Sequence, residues 1–271
     1  MRLRKRALFA KFFADRGTHL AAMVAYFALL SFVPLVFLAL SLLGLAHRAE
    51  ASDFLVRELK RAFPGSSLQS ILTLVHRVQG NAATLGIIGG VGLLWSSLSL
   101  FSVLESAFNI VYGRPNRPFL RGKTIAAMLM VSVLVTLFAS LVIGALGVDL
   151  LKRYAPGFSA DHAVAYILSV AVSLAGVFLF LLAVYRLLPN VPITVHDVLP
   201  GAVMGAVMLE ASFQVLPIFV RLADVNVTLR VLGGPAILLL WLYVMANVIV
   251  LGAELNWWVA HRRAATTDSR P

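Results

Sequence analysis

One carboxyl group lies far inside a long apolar stretch of the chain. Glu210 follows Pro200 by ten residues, which places it about 15 Å along a helix that begins at the proline. Insertion scales put an ionisable group at the middle of a bilayer at about 2.5–3.5 kcal/mol, so it must be protonated or have a partner. Gln214 lies one turn further on the same helix face. The pair predicts an intramembrane relay or a contact for a substrate.

Further polar side chains fall at comparable depth when residues are counted from the ends of other apolar stretches. Two interpretations stay open for them and for Glu210. They form a site that a substrate contacts, or they form interhelical hydrogen bonds that each contribute roughly 0.6–2 kcal/mol. These additional candidates are Ser31, Ser96, Ser97, Ser99 and Asn247.

Two more carboxylates, those of Glu105 and Glu254, stand at the ends of apolar stretches. A carboxylate there faces the negative end of the helix dipole, so each is expected to have a cationic partner. Arg114, Arg121 and Arg186 are the basic residues that could reach them. The pattern predicts a structural clamp at one membrane face. Its candidate residues are Glu105, Asn109, Arg114, Arg121, Arg186, Glu254 and Asn256.

The residue patterns of the common enzyme classes are missing from the sequence. Six histidines are scattered over termini and loops without a paired spacing for a metal, and there is no cysteine. No phosphate-binding GxxxxGK segment is present. A metal-dependent nuclease needs clustered carboxylates, and these are not found either. The sequence therefore predicts no enzymatic activity, no metal site and no cofactor.

The segments that carry these side chains are those of a membrane protein. Of 271 residues, 60% are hydrophobic and 13% are charged, against about 45–50% and 25% in soluble domains. A helix needs about 20 apolar residues to cross a bilayer. Six segments reach this length, so we expect an all-α protein with one membrane domain over residues 18–258. Gly201 and Gly205, four residues apart, predict a close helix contact. The six spans are about 20–45, 83–107, 124–148, 164–188, 198–220 and 235–258.

The distribution of Lys and Arg orients the six spans. Fourteen of the 23 basic residues lie on the side that carries both termini, and nine lie on the other side. Cytoplasmic loops carry the excess of Lys and Arg, so both termini are predicted to be cytoplasmic. The net charge of +11 is therefore expected to meet anionic lipid headgroups and not nucleic acid.

Three segments lie outside or between the spans. Residues 1–17 mix basic residues with Leu and Phe, which predicts a basic amphipathic helix on the cytoplasmic headgroup layer. A partner-binding arm is the alternative for this segment. Residues 47–82 carry apolar residues at helical spacing and are broken by a Pro-Gly pair, which predicts an amphipathic helical hairpin. Residues 259–271 form a polar cytoplasmic tail.

Several segments resemble a known family. They are AAMVAYFALLSFVPL at 21–35, LLWSSLSLFSVLESAFNIVYGRPNRPFLRGK at 93–123, YRLLPNV at 185–191, PGAVMGAVMLEASFQ at 200–214 and LLLWLYVMANVIVLGAELN at 238–256. Over nearly its whole length the chain is similar to the YihY/BrkB family of bacterial inner-membrane proteins. The resemblance implies six spans with cytoplasmic termini in the bacterial inner membrane, and links to serum resistance and lipid export. It also implies that an older ribonuclease label for the family is a misassignment.

Two function hypotheses of different classes follow. In the first, the protein moves or scrambles a lipid or lipid-linked amphiphile between leaflets without ATP hydrolysis, because a mid-membrane carboxyl occurs without an ATP-binding motif. A small-solute or ion carrier is its variant. In the second, the protein is a non-transporting scaffold for envelope assembly or resistance. The scaffold would bind an envelope protein or a second copy of the chain through the basic face and residues 53–78.

Overall fold

All regular structure in the described part of the chain is α-helical, which confirms the predicted all-α class. The computed structural model describes residues 8–45, 82–132, 135, 162–225 and 234–267. The helices are α1 (Leu8–Ala14), α2 (Gly17–Leu45), α3 (Ala82–Val111), α4 (residues 119–132), α5 (His162–Leu187), α6 (Val195–Val225) and α7 (Gly234–Thr267).

Four helices in the described ranges are long and apolar enough to cross a bilayer. They correspond to the predicted spans two, four, five and six. A shorter apolar stretch, Gly17–Phe32, lies in α2, within the predicted first span. Most of the predicted third span and the hairpin predicted at 47–82 lie outside the described residues, so six spans remain a prediction. The four stretches are Ile87–Val111, Val170–Leu187, Val195–Leu216 and Pro235–Arg262.

The helices pack side by side in the order α3, α2, α7, α6 and α5. Lipid chains are as apolar as Leu, so helices in a bilayer associate through close packing of small residues. Buried alanines accordingly line the helices, for example Ala21 in α2 and Ala202 in α6. α2 continues through Pro34, whose ring faces Gly92 of α3, where an added Cβ would lie 3.3 Å from it.

The two outer helices of this series, α3 and α5, meet where both of them end. The rings of Phe108 and Tyr185 lie 5.4 Å apart between centroids, and both side chains are buried. This end of the bundle carries residues 112–118 and 188–194, and we call it the loop end. This contact joins the first and last helices of the series at the loop end.

Glycines permit the closest helix approach, between α6 and α7. A Cβ added at Gly201 would overlap the carbonyl oxygen of Gly252, and one added at Gly252 would overlap the hydroxyl of Tyr185. The Tyr185 hydroxyl donates a hydrogen bond to the carbonyl oxygen of Ile249 at 2.8 Å. Gly205 faces α5, where an added Cβ would lie 2.8 Å from a methyl of Leu181. The two glycines singled out in the sequence thus face two different helices.

Replacing Gly201 or Gly252, where α6 crosses α7, by a larger residue should destabilise the fold. In Gly201→Ala and Gly252→Ala the new methyl meets backbone or a buried tyrosine, and overpacking of this kind costs about 1–3 kcal/mol or more. We expect a lower melting temperature and less monodisperse protein in detergent. Gly176→Ala is the matched control, because nothing lies within 4 Å of its added Cβ. Equal melting temperatures for all three variants would contradict the proposed crossing.

Candidate functional site

Glu210 occupies the middle of α6 and is only 7% exposed. Its Oε2 atom accepts a hydrogen bond from the Ser173 hydroxyl of α5 at 2.7 Å. Its Oε1 atom accepts a hydrogen bond from the Gln214 amide at 2.9 Å. The side chains of Ser173 and Gln214 are both exposed. The three residues, which we call the Glu210 cluster, therefore connect a buried carboxyl group to the side of the bundle.

Ser173 is the member of this cluster that sequence reasoning missed. It lies 14 residues before Leu187, about 21 Å from the loop end, and Glu210 lies 15 residues after Val195, about 22 Å from that end. The same depth count that selected Ser31 would have selected Ser173. Depth alone could not show that α5 packs beside α6.

The other mid-depth candidates do not join the Glu210 cluster. Ser31, Ser96, Ser99 and Asn247 each donate a hydrogen bond to a carbonyl of their own helix, and Ser97 is buried. Ser and Asn side chains bond to the preceding helical turn in this way whenever it is within reach, and a depth count cannot reveal it. The acceptors are the carbonyl oxygens of Phe27 (2.9 Å), Leu93 (3.4 Å), Trp95 (2.9 Å) and Tyr243 (2.7 Å), respectively.

A buried ion pair joins the first and last described helices at the loop end. The Lys11 ammonium donates to Glu254 Oε2 at 2.7 Å, to Asp15 Oδ2 at 2.5 Å and to the carbonyl oxygen of Val111 at 2.9 Å. It also lies 4.2 Å from the centroid of the Trp257 ring. Glu254 is fully buried and Lys11 is 8% exposed. An ammonium has three N–H donors, so Lys11 is fully hydrogen-bonded.

The turn between α1 and α2 positions Lys11. Arg16 adopts a left-handed conformation with φ 57°, and the buried Gly17 leaves room for the Phe12 ring, which an added Cβ would overlap. Phe12 and Lys11 therefore face the protein, while Phe9 and Phe13 are exposed. The headgroup contact predicted for residues 1–17 remains a prediction, and the exposed pair is the face that suits it.

A second ion pair fixes the loop after α3. Gly113 has φ 63° and turns the chain back, so that Glu105 Oε1 accepts hydrogen bonds from the Arg117 backbone N–H at 3.2 Å and from its guanidinium at 3.4 Å. The same guanidinium donates to the carbonyl oxygens of Leu188 and Pro189, the latter at 2.7 Å. Arg117 therefore ties α3 to the chain that follows α5.

Asparagine side chains complete this connection between the two loops. The backbone N–H of Asn190 donates to Asn109 Oδ1 at 2.7 Å, and the Asn109 amide donates to Asn116 Oδ1 at 3.0 Å. Asn116 in turn donates to the Ser106 hydroxyl at 2.7 Å, and the Asn190 amide donates to the carbonyl oxygen of Pro115 at 3.2 Å. Asn109 is fully buried. Its side chain thus replaces the backbone pairing that this irregular segment lacks.

Asn256, on α7, accepts a hydrogen bond from the backbone N–H of Gly201 at 2.6 Å. Glu254 Oε1 and Asn256 Nδ2 are buried and have no hydrogen-bond partner among the described residues. Burial raises the pKa of the nearby Tyr112 hydroxyl above its ordinary value, and the carboxylates of Asp197 and Glu254 raise it further. The phenol is therefore neutral at physiological pH. Among the described residues, no three His, Asp or Glu side chains are grouped as metal ligands.

Residues 8–271 match the family model described as virulence factor BrkB. The chain belongs to the BrkB family. It is 24% identical over 274 residues to the ribonuclease-like protein YfkH of Bacillus subtilis (strain 168), covering 97% of both chains. It is 27% identical to a UPF0761 membrane protein of Azoarcus sp. (strain BH72), and the match covers 93% of this chain and 62% of that relative. A UPF0761 membrane protein of Pseudoalteromonas atlantica is also 27% identical, with 89% of this chain and 81% of the relative covered. No solved structure matches the chain.

In this BrkB-family chain both clamp carboxylates have cationic partners, but not the ones expected from the sequence. The partners are Arg117 and Lys11, whereas the side chains of Arg114, Arg121 and Arg186 are exposed. The turn at Gly113 brings Arg117 back against α3, and Lys11 arrives from the other end of the chain. Neither effect is visible in the local spacing of charges.

Breaking the Lys11–Glu254 pair should destabilise the protein strongly. Lys11→Met leaves a carboxylate buried without its counter-charge, which costs about 3–5 kcal/mol. The double variant Lys11→Met, Glu254→Gln removes both charges and should recover part of that loss. Thermal unfolding of the purified variants measures both effects. Arg121→Met, at an exposed site, should stay within about 0.5 kcal/mol. The coupling would be refuted if the double variant loses as much stability as Lys11→Met and Glu254→Gln lose together, or more.

Replacing the guanidinium of Arg117 should loosen the segment after α5. Arg117→Lys keeps the charge, but its donors lie on a single nitrogen and cannot match the planar fork that reaches Glu105, Leu188 and Pro189. We expect amide hydrogen exchange in residues 188–194 to accelerate about tenfold, as the loss of about 1.4 kcal/mol implies. Arg114→Lys serves as the control because that side chain is exposed. Unchanged exchange in Arg117→Lys would show that the segment is held by other contacts.

Proposed function

We propose that this protein moves a lipid or lipid-linked amphiphile between the leaflets of the bacterial inner membrane without ATP hydrolysis. The observation that carries the proposal is the Glu210 cluster, in which a buried carboxyl at mid-helix has exposed polar partners. A headgroup that crosses a bilayer loses its water and needs polar partners at mid-depth, while its chains remain in lipid. A polar cluster that reaches the side of a helix bundle meets both needs.

The loop end supports a lateral route for the amphiphile. There α3 and α5 are joined by aromatic packing, and the Arg117 guanidinium connects the two loops. The Lys11 pair holds α1 against α3 and α7 at the same end. With this end fastened by ion pairs, an amphiphile approaches the Glu210 cluster from the surrounding lipid between α5 and α6.

The wider arrangement that we propose has six spans, both termini in the cytoplasm and one membrane domain. The excess of Lys and Arg on the side of the termini supports this orientation. The role is non-enzymatic in this proposal, since the sequence has no clustered carboxylates and no cysteine. Transport is then driven by the lipid gradient or by proton movement through the single mid-membrane carboxyl.

A scaffold for envelope assembly is the second candidate, and one observation favours it. Phe119, Leu120 and Arg121 are exposed at the start of α4, next to the exposed Arg114. Aromatic residues and Arg are enriched in protein interfaces. An envelope protein or a second copy of the chain would bind there. A small-solute or ion carrier is a variant of the transport proposal, and solute uptake into liposomes separates it from lipid movement.

Glu210→Gln tests the transport proposal most directly. Glutamine keeps the shape, and its carbonyl oxygen can accept from Gln214 while its amide donates to the Ser173 hydroxyl. It removes the titratable group, so lipid flipping in liposomes should fall at least tenfold at unchanged abundance. Glu210→Leu should also lower the yield of folded protein, because the partner side chains lose their acceptor. Flipping is measured with fluorescent lipids in liposomes containing the full-length chain.

Two controls make the result decisive. Ser99→Ala changes a mid-depth side chain that bonds only to its own helix, and it should flip lipid at the wild-type rate. No acceleration over empty liposomes for several headgroups would refute lipid movement. In cells that lack the protein, Glu210→Gln and a variant without residues 53–78 are compared for their ability to restore the wild-type phenotype. If Glu210→Gln restores it and the variant without residues 53–78 does not, the scaffold proposal replaces transport.

A further inference from the structure

The ionisable group that α5 and α6 share at mid-depth is acidic. Glu210 lies about 22 Å from the loop end of α6. One described cation reaches a comparable depth, the Lys123 ammonium, and it donates to the Leu98 carbonyl oxygen at 3.3 Å and to the Ser102 hydroxyl at 2.9 Å, both on α3. The other buried glutamates, Glu105 and Glu254, are at the loop end and already have basic partners. A polar ligand that reaches Ser173 and Gln214 therefore meets a carboxyl group, whereas the Lys123 ammonium is bonded to α3.

The Glu210 carboxylate has unused capacity to accept hydrogen bonds. An ionised carboxylate offers about four lone-pair sites, and the two bonds from Ser173 and Gln214 occupy one site on each oxygen. The Ser173 hydroxyl donates its hydrogen bond to Glu210, so the lone pairs of the hydroxyl oxygen can accept further hydrogen bonds. The cluster therefore favours a ligand that donates hydrogen bonds.

Apolar side chains flank the cluster on the same side of the bundle. Val207 and Phe213 lie one turn to either side of Glu210 on α6, and Val172 precedes Ser173 on α5. All three side chains are exposed, between 41% and 61%. Acyl chains can pack against such a surface while a headgroup contacts the polar atoms.

We infer that Glu210 selects amphiphiles whose headgroup carries a protonated primary amine. The inference rests on the proposed function, which brings a headgroup to this level of the membrane. An ammonium gives a carboxylate both N–H donors and a positive charge, and such charge-assisted bonds are about twice as strong as neutral ones. A quaternary amine has the charge but no N–H donor. A phosphoglycerol headgroup has hydroxyl donors but is negative, so the carboxylate repels it.

Flipping assays with three headgroups test this selection. Liposomes of phosphatidylcholine containing the full-length chain receive a trace of phospholipid labelled on an acyl chain, with an ethanolamine, choline or glycerol headgroup. Wild-type protein should flip the ethanolamine lipid about tenfold faster than the other two, which corresponds to about 1.4 kcal/mol. Glu210→Gln should bring the three rates to within about twofold of each other, and Ser99→Ala should keep the wild-type ratio.

Lipid retention provides a readout that does not depend on flipping. The purified protein in detergent is incubated with equal amounts of the three lipids, and native mass spectrometry measures which one stays bound. Retention of the ethanolamine lipid by the wild type, and its loss in Glu210→Gln, supports the inference. If this retention is found but no lipid is flipped, only the proposed function is overturned. The inference is overturned if all headgroups show equal flipping rates and equal retention, or if Glu210→Gln leaves a headgroup preference intact. In either case, flipping of any of the lipids still upholds the proposed function.

Discussion

A carboxylate placed among apolar helices needs a counter-charge or hydrogen-bond donors, and this constraint governs the structure. Three glutamates are buried in the described residues, and each meets the constraint differently. Glu254 has an ammonium from α1, Glu105 has a guanidinium and a backbone N–H from the loop after α3, and Glu210 has only neutral donors. The two fully charged pairs hold the loop end together. The carboxyl with neutral partners is the one on which the transport proposal rests.

The loop end and the middle of the bundle differ in how closely their side chains are packed. At the loop end, glycines, aromatic rings and ion pairs join α3, α5, α6 and α7 with almost no spare volume. At mid-depth, the partners of Glu210 are exposed. A bundle of this form is rigid at one end and accessible from the side near its middle. Membrane proteins that handle amphiphiles need both properties, because a fixed frame must hold a polar contact within reach of lipid.

The sequence predicted the parts of this arrangement that depend on local pattern. Apolar length predicted the helices, and the four-residue spacing of Glu210 and Gln214 predicted their contact. Partners brought in by tertiary packing could not be predicted in this way. Lys11 and Glu254 are 243 positions apart. Arg117, and not the predicted Arg114, pairs with Glu105 because Gly113 adopts a left-handed conformation that turns the chain back. Ser31, Ser96 and Ser99 were grouped by depth, but their hydroxyls bond within their own helices, which only the rotamers of the folded protein reveal.

The contact between α1 and α7 also has a consequence for biosynthesis. Lys11 emerges from the ribosome 243 residues before Glu254, and Trp257 follows Glu254. Until they arrive, the ammonium of Lys11 has the carboxylate of Asp15 but lacks that of Glu254 and the Trp257 ring, and α1 cannot complete its docking. The contacts that hold α1 against α7 therefore require that α7 has been made and lies in its place.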